Sequence, residues 1–167
     1  GSTPDHVLIT NGSAEANFLC TMTLLEPGDE LIYMVPNYLQ IGTLASSIGV
    51  EVKEIRLRPE LNWQMDLDEL NSLVTPKTKM IAVCTPNNPT GAIMSAESMA
   101  EVRRMADEHD LYLLSDEVYR GAELSGVESP TVYSGRKKDI VNSGLSKAYR
   151  LPGLRLGWSV TDPDTIW

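Results

Sequence analysis

The sequence contains only two cysteines and two histidines, and no apolar run of the roughly 18 residues that a membrane-crossing helix needs. Cys20 and Cys84 both lie in apolar runs, which suits reduced core thiols better than a disulfide framework. His6 and His109 are far apart, with no ligand-like cluster around either, so no metal site is expected. His109 closes a helical stretch, where a cation complements the helix dipole. Basic residues are outnumbered, 14 against 23 acidic ones, and the net charge of −9 argues against nucleic acid or an anionic membrane as the main partner. No G-x-S-x-G elbow is present, and no G-x-G-x-x-G follows a strand, so acyl transfer and dinucleotide binding are unsupported. No signal peptide is recognisable, and a cytoplasmic setting is the default expectation.

What is there reads as one ordinary globular domain of 167 residues, 42% hydrophobic and 22% charged. Residues 6–10, 30–34, 50–57, 79–84, 111–115, 139–143 and 154–161 read as strands, several of them apolar on both faces. Residues 13–25, 37–48, 66–74 and 95–109 read as helices between them. Ala14, Phe18, Met22 and Leu25 recur at helical spacing and mark an apolar stripe, and Pro27-Gly28 ends that helix. Met99, Val102 and Ala106 do the same on the last helix, whose Glu97, Glu101 and Arg104 form its wet face. Strand–helix alternation implies an α/β fold. We expect a three-layer sandwich, a mostly parallel sheet of roughly seven strands covered by helices on both faces. Gly1-Ser2 reads as the remnant of an expression tag. A strand begins just after Thr3 and Pro4, and Asp162-Pro163-Asp164 opens a helix just before Trp167, so both ends read as cut from something longer.

The polar residues sit where strands end. HVLIT runs into Asn11-Gly12-Ser13-Ala14, ELIYM into Val35-Pro36-Asn37-Tyr38, and MIAVC into Thr85-Pro86-Asn87-Asn88. LYLLS runs into Asp116-Glu117-Val118-Tyr119, and DIVNSGLS into Lys147. In an open parallel sheet the carboxyl ends of the strands share one edge, and ligands bind there. Five strands therefore deliver their least apolar residues to one crevice.

Each of these residues has a bland and a chemical reading. The Asn11–Ala14 turn suits a phosphate, through free amides and the helix dipole, but a plain N-capped helix start is at least as good an account. Arg155 could add a bidentate grip on that phosphate, and its place inside an apolar strand argues against a merely solvated arginine. Asp116 follows mostly apolar residues, so its carboxylate needs a partner; a protonated ring nitrogen would serve, and so would an N-cap role. Tyr119 faces the same side if a helical turn starts there, and alone would be a core tyrosine. Asn88 could donate to an anionic oxygen or simply shape its turn. Tyr38 could stack on a flat ring or merely pack. Lys147, among Ser146, Ala148 and glycine, can be partly withdrawn from water and act as a nucleophile toward a carbonyl. Taken together, the ligand has a phosphate, a flat ring with a protonatable nitrogen, an anionic ring oxygen and an aldehyde, which describes pyridoxal phosphate.

The stretches NGSAEA, PNY, NNPTG, SDEVY and SK followed by GLRLG stand in one order along the chain. In that order they resemble the large domain of the class I/II aminotransferases, the aspartate aminotransferase fold, over residues 3–167. The resemblance implies an amino-group transfer between an amino acid and a 2-oxo acid. It implies that Lys147 forms the aldimine with pyridoxal phosphate and moves the substrate proton, that Asp116 keeps the pyridine nitrogen protonated, and that Asn88 and Tyr119 bind the ring oxygen. Tyr38 would stack on the ring, while Ser13, Ala14, Ser146 and Arg155 would hold the phosphate. It further implies a homodimeric parent, with an N-terminal segment and a small domain beyond this region. The small domain would supply the arginine that grips the substrate carboxylate, so the isolated domain is expected to turn over little. Two positions depart from the family pattern. Gly144 stands where many relatives carry a hydroxyl that also meets the phosphate, and Arg150 where a small or apolar residue is usual.

A lyase, decarboxylase or cyclase would use the same lysine and aspartate, because the cofactor carries the chemistry and substrate orientation selects the bond. A non-catalytic module of this fold is a third reading, disfavoured by the presence of both Lys147 and Asp116. The amino donor and acceptor are not legible in these residues.

Overall fold

A computed structural model describes residues 2–166; Gly1 and Trp167, which bear on the two chain ends, lie outside the described residues. Eight strands form one sheet: β1 (Val7–Thr10), β2 (Glu30–Val35), β3 (Glu51–Arg58), β4 (Gln64–Met65), β5 (Thr78–Cys84), β6 (Tyr112–Asp116), β7 (Asp139–Gly144) and β8 (Gly157–Val160). Their spatial order is β1-β8-β7-β6-β5-β2-β3-β4. The central five, from β7 to β3, are mutually parallel, and β8 runs antiparallel between β7 and β1. The eighth strand beyond the expected seven is β4, a two-residue edge pairing with Leu57 and Arg58, too short to leave a periodic signal.

Among the described residues five α-helices complete the fold: α1 (Ser13–Leu24), α2 (Gln40–Ser47), α3 (Leu67–Leu73), α4 (Ala96–Glu108) and the short α5 (Pro163–Ile166). Alternation along the strands sends successive side chains to opposite faces, and two cores result. Ile32, Met34, Ile81, Val83 and Leu113 pack with Leu70 of α3 and Met99, Val102 and Met105 of α4. Leu31, Tyr33, Met80, Ala82 and Leu114 pack with Cys20 of α1 and Ile41 and Ala45 of α2. The three-layer expectation holds. Each fully buried aliphatic side chain on these faces contributes about 1.5–3 kcal/mol.

The helix starts follow their caps. Asp66 accepts from the amides of Asp68 and Glu69 at 3.0 and 3.2 Å, and Ser95 from that of Ser98 at 3.0 Å. On α4, Arg104 pairs with Glu101 and Glu108 on the solvent side, as the sequence implied. Three expectations are corrected. The second helix starts at Gln40 and not at residue 37, so Tyr38 lies in a loop. The last strand starts at Gly157 and not at residue 154, because Pro152–Leu154 form a 3-10 turn and Arg155 caps it in the left-handed region at φ 49. On α1 the apolar stripe is not the buried face: Ala14, Phe18 and Met22 are exposed, while Ala16, Asn17, Cys20 and Thr21 are buried.

Candidate active site

The sheet reverses its winding between β2 and β5. The chain moves outward from β2 to β3 in one direction, and from β5 through β6 to β7 in the other. The carboxyl ends of these strands open a crevice at that switch point. Strand β8 runs the opposite way, so its start lies at that edge, and this brings Arg155 there. A cleft of about 230 Å³ occupies the crevice. Its walls include Ser13, Ala14, Tyr38, Asn88, Asp116, Tyr119, Ser146, Lys147 and Arg155, all nine positions singled out from the sequence. Asn17, Cys84 and Val118 line it as well.

One end is built to receive an anion. Gly12, the N-cap of α1, sits at φ 79 and ψ 162 and offers no side-chain cap, so the first amides of the helix keep no intrahelical partner. Arg155 lies against this turn: a Cβ on Gly12 would fall 2.5 Å from its Nη2. Its Nη1 donates to the Ser146 hydroxyl at 3.2 Å and to the Pro152 carbonyl at 3.1 Å. The guanidinium is thus held by the loop on either side of Lys147 and not by a strand, and the residue is exposed. Amides, hydroxyl and guanidinium together form a donor-rich cradle suited to a phosphate. Gly144 supports it from below, where a Cβ would fall 3.0 Å from the Leu156 carbonyl oxygen and 3.2 Å from the Gly157 α-carbon. The missing hydroxyl at 144 therefore belongs to a position with little room for a side chain.

The other end is acidic. Asp116, at the tip of β6, is 8% exposed. Its Oδ1 accepts from the Val118 amide at 3.1 Å, an Asx-type turn, and its Oδ2 from the Asn17 side-chain amide at 3.1 Å. The chain turns straight after Asp116 without starting a helix, so the N-cap reading of Asp116 does not hold. Burial pushes its carboxyl above the ordinary range, while the Asn17 and Val118 hydrogen bonds and the charge of Lys147 pull it down. The turn after Asp116 brings Tyr119 into the cleft, with Lys147 Nζ 5.8 Å from its ring centroid. The lysine itself is exposed, a correction to the desolvated setting expected from its small neighbours.

The side walls are held by neighbours of the exposed residues. Asn87, and not Asn88, carries out the turn chemistry: its Oδ1 accepts from the Thr90 amide and hydroxyl, and its Nδ2 donates to the Pro36 carbonyl at 3.1 Å. That frees Asn88 to face the cleft. Tyr38 is 55% exposed, and its carbonyl accepts from the buried Tyr33 hydroxyl. Gln40 donates to the Ala14 carbonyl at 2.8 Å, which fastens this wall to the first turn of α1. Cys84 is buried behind them, and burial, with the Asp116 charge, pushes its thiol up to about 12. Both cysteines are free and buried, as their apolar settings implied. Sequence reasoning missed Asn17. Its signal was a polar residue spaced three and four positions from Cys20 and Thr21, on the face opposite the apolar stripe.

Comparison with known proteins gives concordant matches. The family model for aminotransferase class I and II matches residues 2–166. The aspartate/prephenate aminotransferase of Thermus thermophilus is 31% identical over 98% of this chain and 47% of its own length. The tyrosine aminotransferase of Bos taurus is 34% identical over 91% of this chain and 34% of its own. The chain thus spans less than half the length of these relatives. Among solved structures, a PLP-dependent aminotransferase from Streptococcus suis superposes with a TM-score of 0.90 at 40% identity, over 97% of this chain and 43% of that one.

Proposed function

The chain belongs to the class I and II aminotransferases, and from that premise we propose that residues 3–167 are the large, pyridoxal-phosphate-binding domain of an enzyme that moves an amino group between an amino acid and a 2-oxo acid. One observation carries the reading. A single cleft has a donor-rich anion cradle at one end, a buried carboxylate at the other, and a lysine on its wall.

The donor set fits the cofactor. The Ser13 and Ala14 amides, the Ser146 hydroxyl and the Arg155 guanidinium would hold the phosphate. Asp116 would pair with a protonated ring nitrogen, Asn88 and Tyr119 would donate to the ring oxygen, and Tyr38 would cover one ring face. Bound there, the cofactor supplies an electron sink for the pair left when a bond at the substrate Cα breaks. Lys147 is the amine that would hold the aldehyde carbon covalently and, once displaced by the substrate amine, carry the proton at Cα. Recognition of the substrate carboxylate is assigned to regions of the whole enzyme outside this chain, so the domain alone should turn over little. Assembly of the whole enzyme as a homodimer belongs to the same proposal, supported by exposed apolar side chains at Ile9, Phe18 and Leu39, and is tested by sedimentation.

The test is an absorbance titration of this chain with pyridoxal phosphate, followed by borohydride reduction and peptide mapping. Label on Lys147 in the wild type, and none in Lys147→Ala, is the expected result. Equal labelling of both chains, or of neither, sinks the cofactor reading. Product analysis of the whole enzyme separates amino-group exchange from carbon–carbon cleavage or decarboxylation.

A further inference from the structure

We propose that Asn17 is a positioning residue: with Asn142 and Ser159 behind it, it forms a one-way chain of hydrogen-bond donors that ends on Asp116 and aims that carboxylate at the cofactor's ring nitrogen. The inference rests on the cofactor reading above.

The direction of the chain follows from its terminus. A carboxylate only accepts, so the Asn17 amide must turn its nitrogen toward Asp116, with Nδ2 to Oδ2 at 3.1 Å. Asn17 Oδ1 then faces Asn142, which donates through Nδ2 at 2.9 Å. Asn142 Oδ1 is left to accept, and the Ser159 hydroxyl donates to it. Cys20 fills the remaining corner, 3.7 Å from Asn142 Nδ2. One acceptor thereby fixes the orientation of every group in the line.

The four residues come from four elements, α1, β6, β7 and β8. Asn17, Asn142 and Ser159 are at most 2% exposed. Such a network costs a core far more than apolar side chains would unless it is fully satisfied and serves a purpose. Its members are neutral. They stabilise a negative charge by hydrogen bonding, against the burial that opposes it, yet leave that charge uncompensated and free to pair with a cation in the cleft. A lysine or arginine at position 17 would neutralise it instead. Asn17 also lies one helical turn beyond Ser13, so α1 sets both ends of the cleft: its first amides face the anion cradle and its second turn braces the carboxylate.

The deciding measurement is the titration of the Asp116 carboxyl by carbon-13 NMR in the cofactor-free chain, assigned with Asp116→Asn. In Asn17→Leu, close in shape but without a donor, the proton affinity of Asp116 rises about tenfold or more, and the affinity for pyridoxal phosphate falls. Ser159→Ala, which removes only the far end, moves both in the same direction by a smaller factor. It decides the matter if Asn17→Leu does not fold. An Asp116 midpoint unchanged in these variants overturns the proposal, and so does a shifted midpoint with unchanged cofactor affinity. Failure of the wild-type chain to bind cofactor counts against the functional reading alone, because the midpoint is read without it.

Discussion

Gly157 and Gly12 meet backbone to backbone: a Cβ on Gly157 would lie 2.4 Å from the Gly12 carbonyl carbon and 2.5 Å from the Ser13 nitrogen. No rotamer change relieves such a contact, because backbone stands on both sides. We therefore expect Gly157→Ala to push the first turn of α1 off β8 and to destabilise the chain by roughly 2 kcal/mol, measured by urea unfolding. The displaced amides should also lose most of their grip on pyridoxal phosphate. Wild-type stability and affinity in this variant would mean that the turn is not fixed by the strand beneath it.

Arg155 is held at three points, the Ser146 hydroxyl, the Pro152 carbonyl and the Gly12 turn. Arg155→Ala should weaken binding of pyridoxal phosphate about 10- to 100-fold, the loss of one charge-assisted contact to the phosphate. Arg155→Lys should recover only a small part, since an ammonium cannot span the same three points. Affinity for pyridoxal, which lacks the phosphate, should change little across the series. Equal losses for both ligands would place Arg155 outside the anion cradle.

Glu123 closes the loop after the site. Its carboxylate accepts from the Ser129 amide at 2.8 Å, the Ser129 hydroxyl at 2.6 Å and the Gly121 amide at 2.8 Å. Burial raises its pKa, but these bonds outweigh burial and hold it at about 2, below the ordinary 4.5. A depressed carboxyl contributes stability that is present above 4.5 and lost as pH falls through about 2. The Ser129 amide should therefore resist hydrogen exchange at pH 5 and above and lose that protection toward pH 2. Glu123→Ala should lose it at every pH, and retained protection in that variant would refute the assignment.

The parallel body of the sheet was legible because β2 and β5 are apolar on both faces, and no surface helix or edge strand reads that way. Tyr38, Asn88, Asp116, Tyr119, Ser146 and Lys147 were legible because each ends or follows a strand of that parallel body. Other features were hidden by the same logic. Phe18 and Met22 have the spacing of a core stripe, yet α1 turns them outward, since the opposite face carries Asn17 to the Asp116 carboxylate. Apolar periodicity finds the face that avoids water, not the face that a buried charge requires. Leu154 and Leu156 looked like strand positions, but the left-handed backbone at Arg155 ends the 3-10 turn before the strand begins. The setting of Lys147 depends on contacts far apart in sequence, beyond what its immediate neighbours encode.

The order β1-β8-β7 has a consequence for how the molecule is born. Val7–Thr10 leave the ribosome ahead of every other strand of this sheet, but their strand partner among the described residues, Gly157–Val160, follows about 150 residues later. Strands β2 to β7 pair with one another, β7 alone keeping a second edge for β8, and they can assemble as they emerge. The first strand and the buried polar face of α1 must wait. A chain halted during synthesis before residue 157 would therefore carry most of a sheet and a lysine at its edge. It would still lack the strand that seats the first turn of α1, and the anion cradle would mature after the parallel body of this sheet.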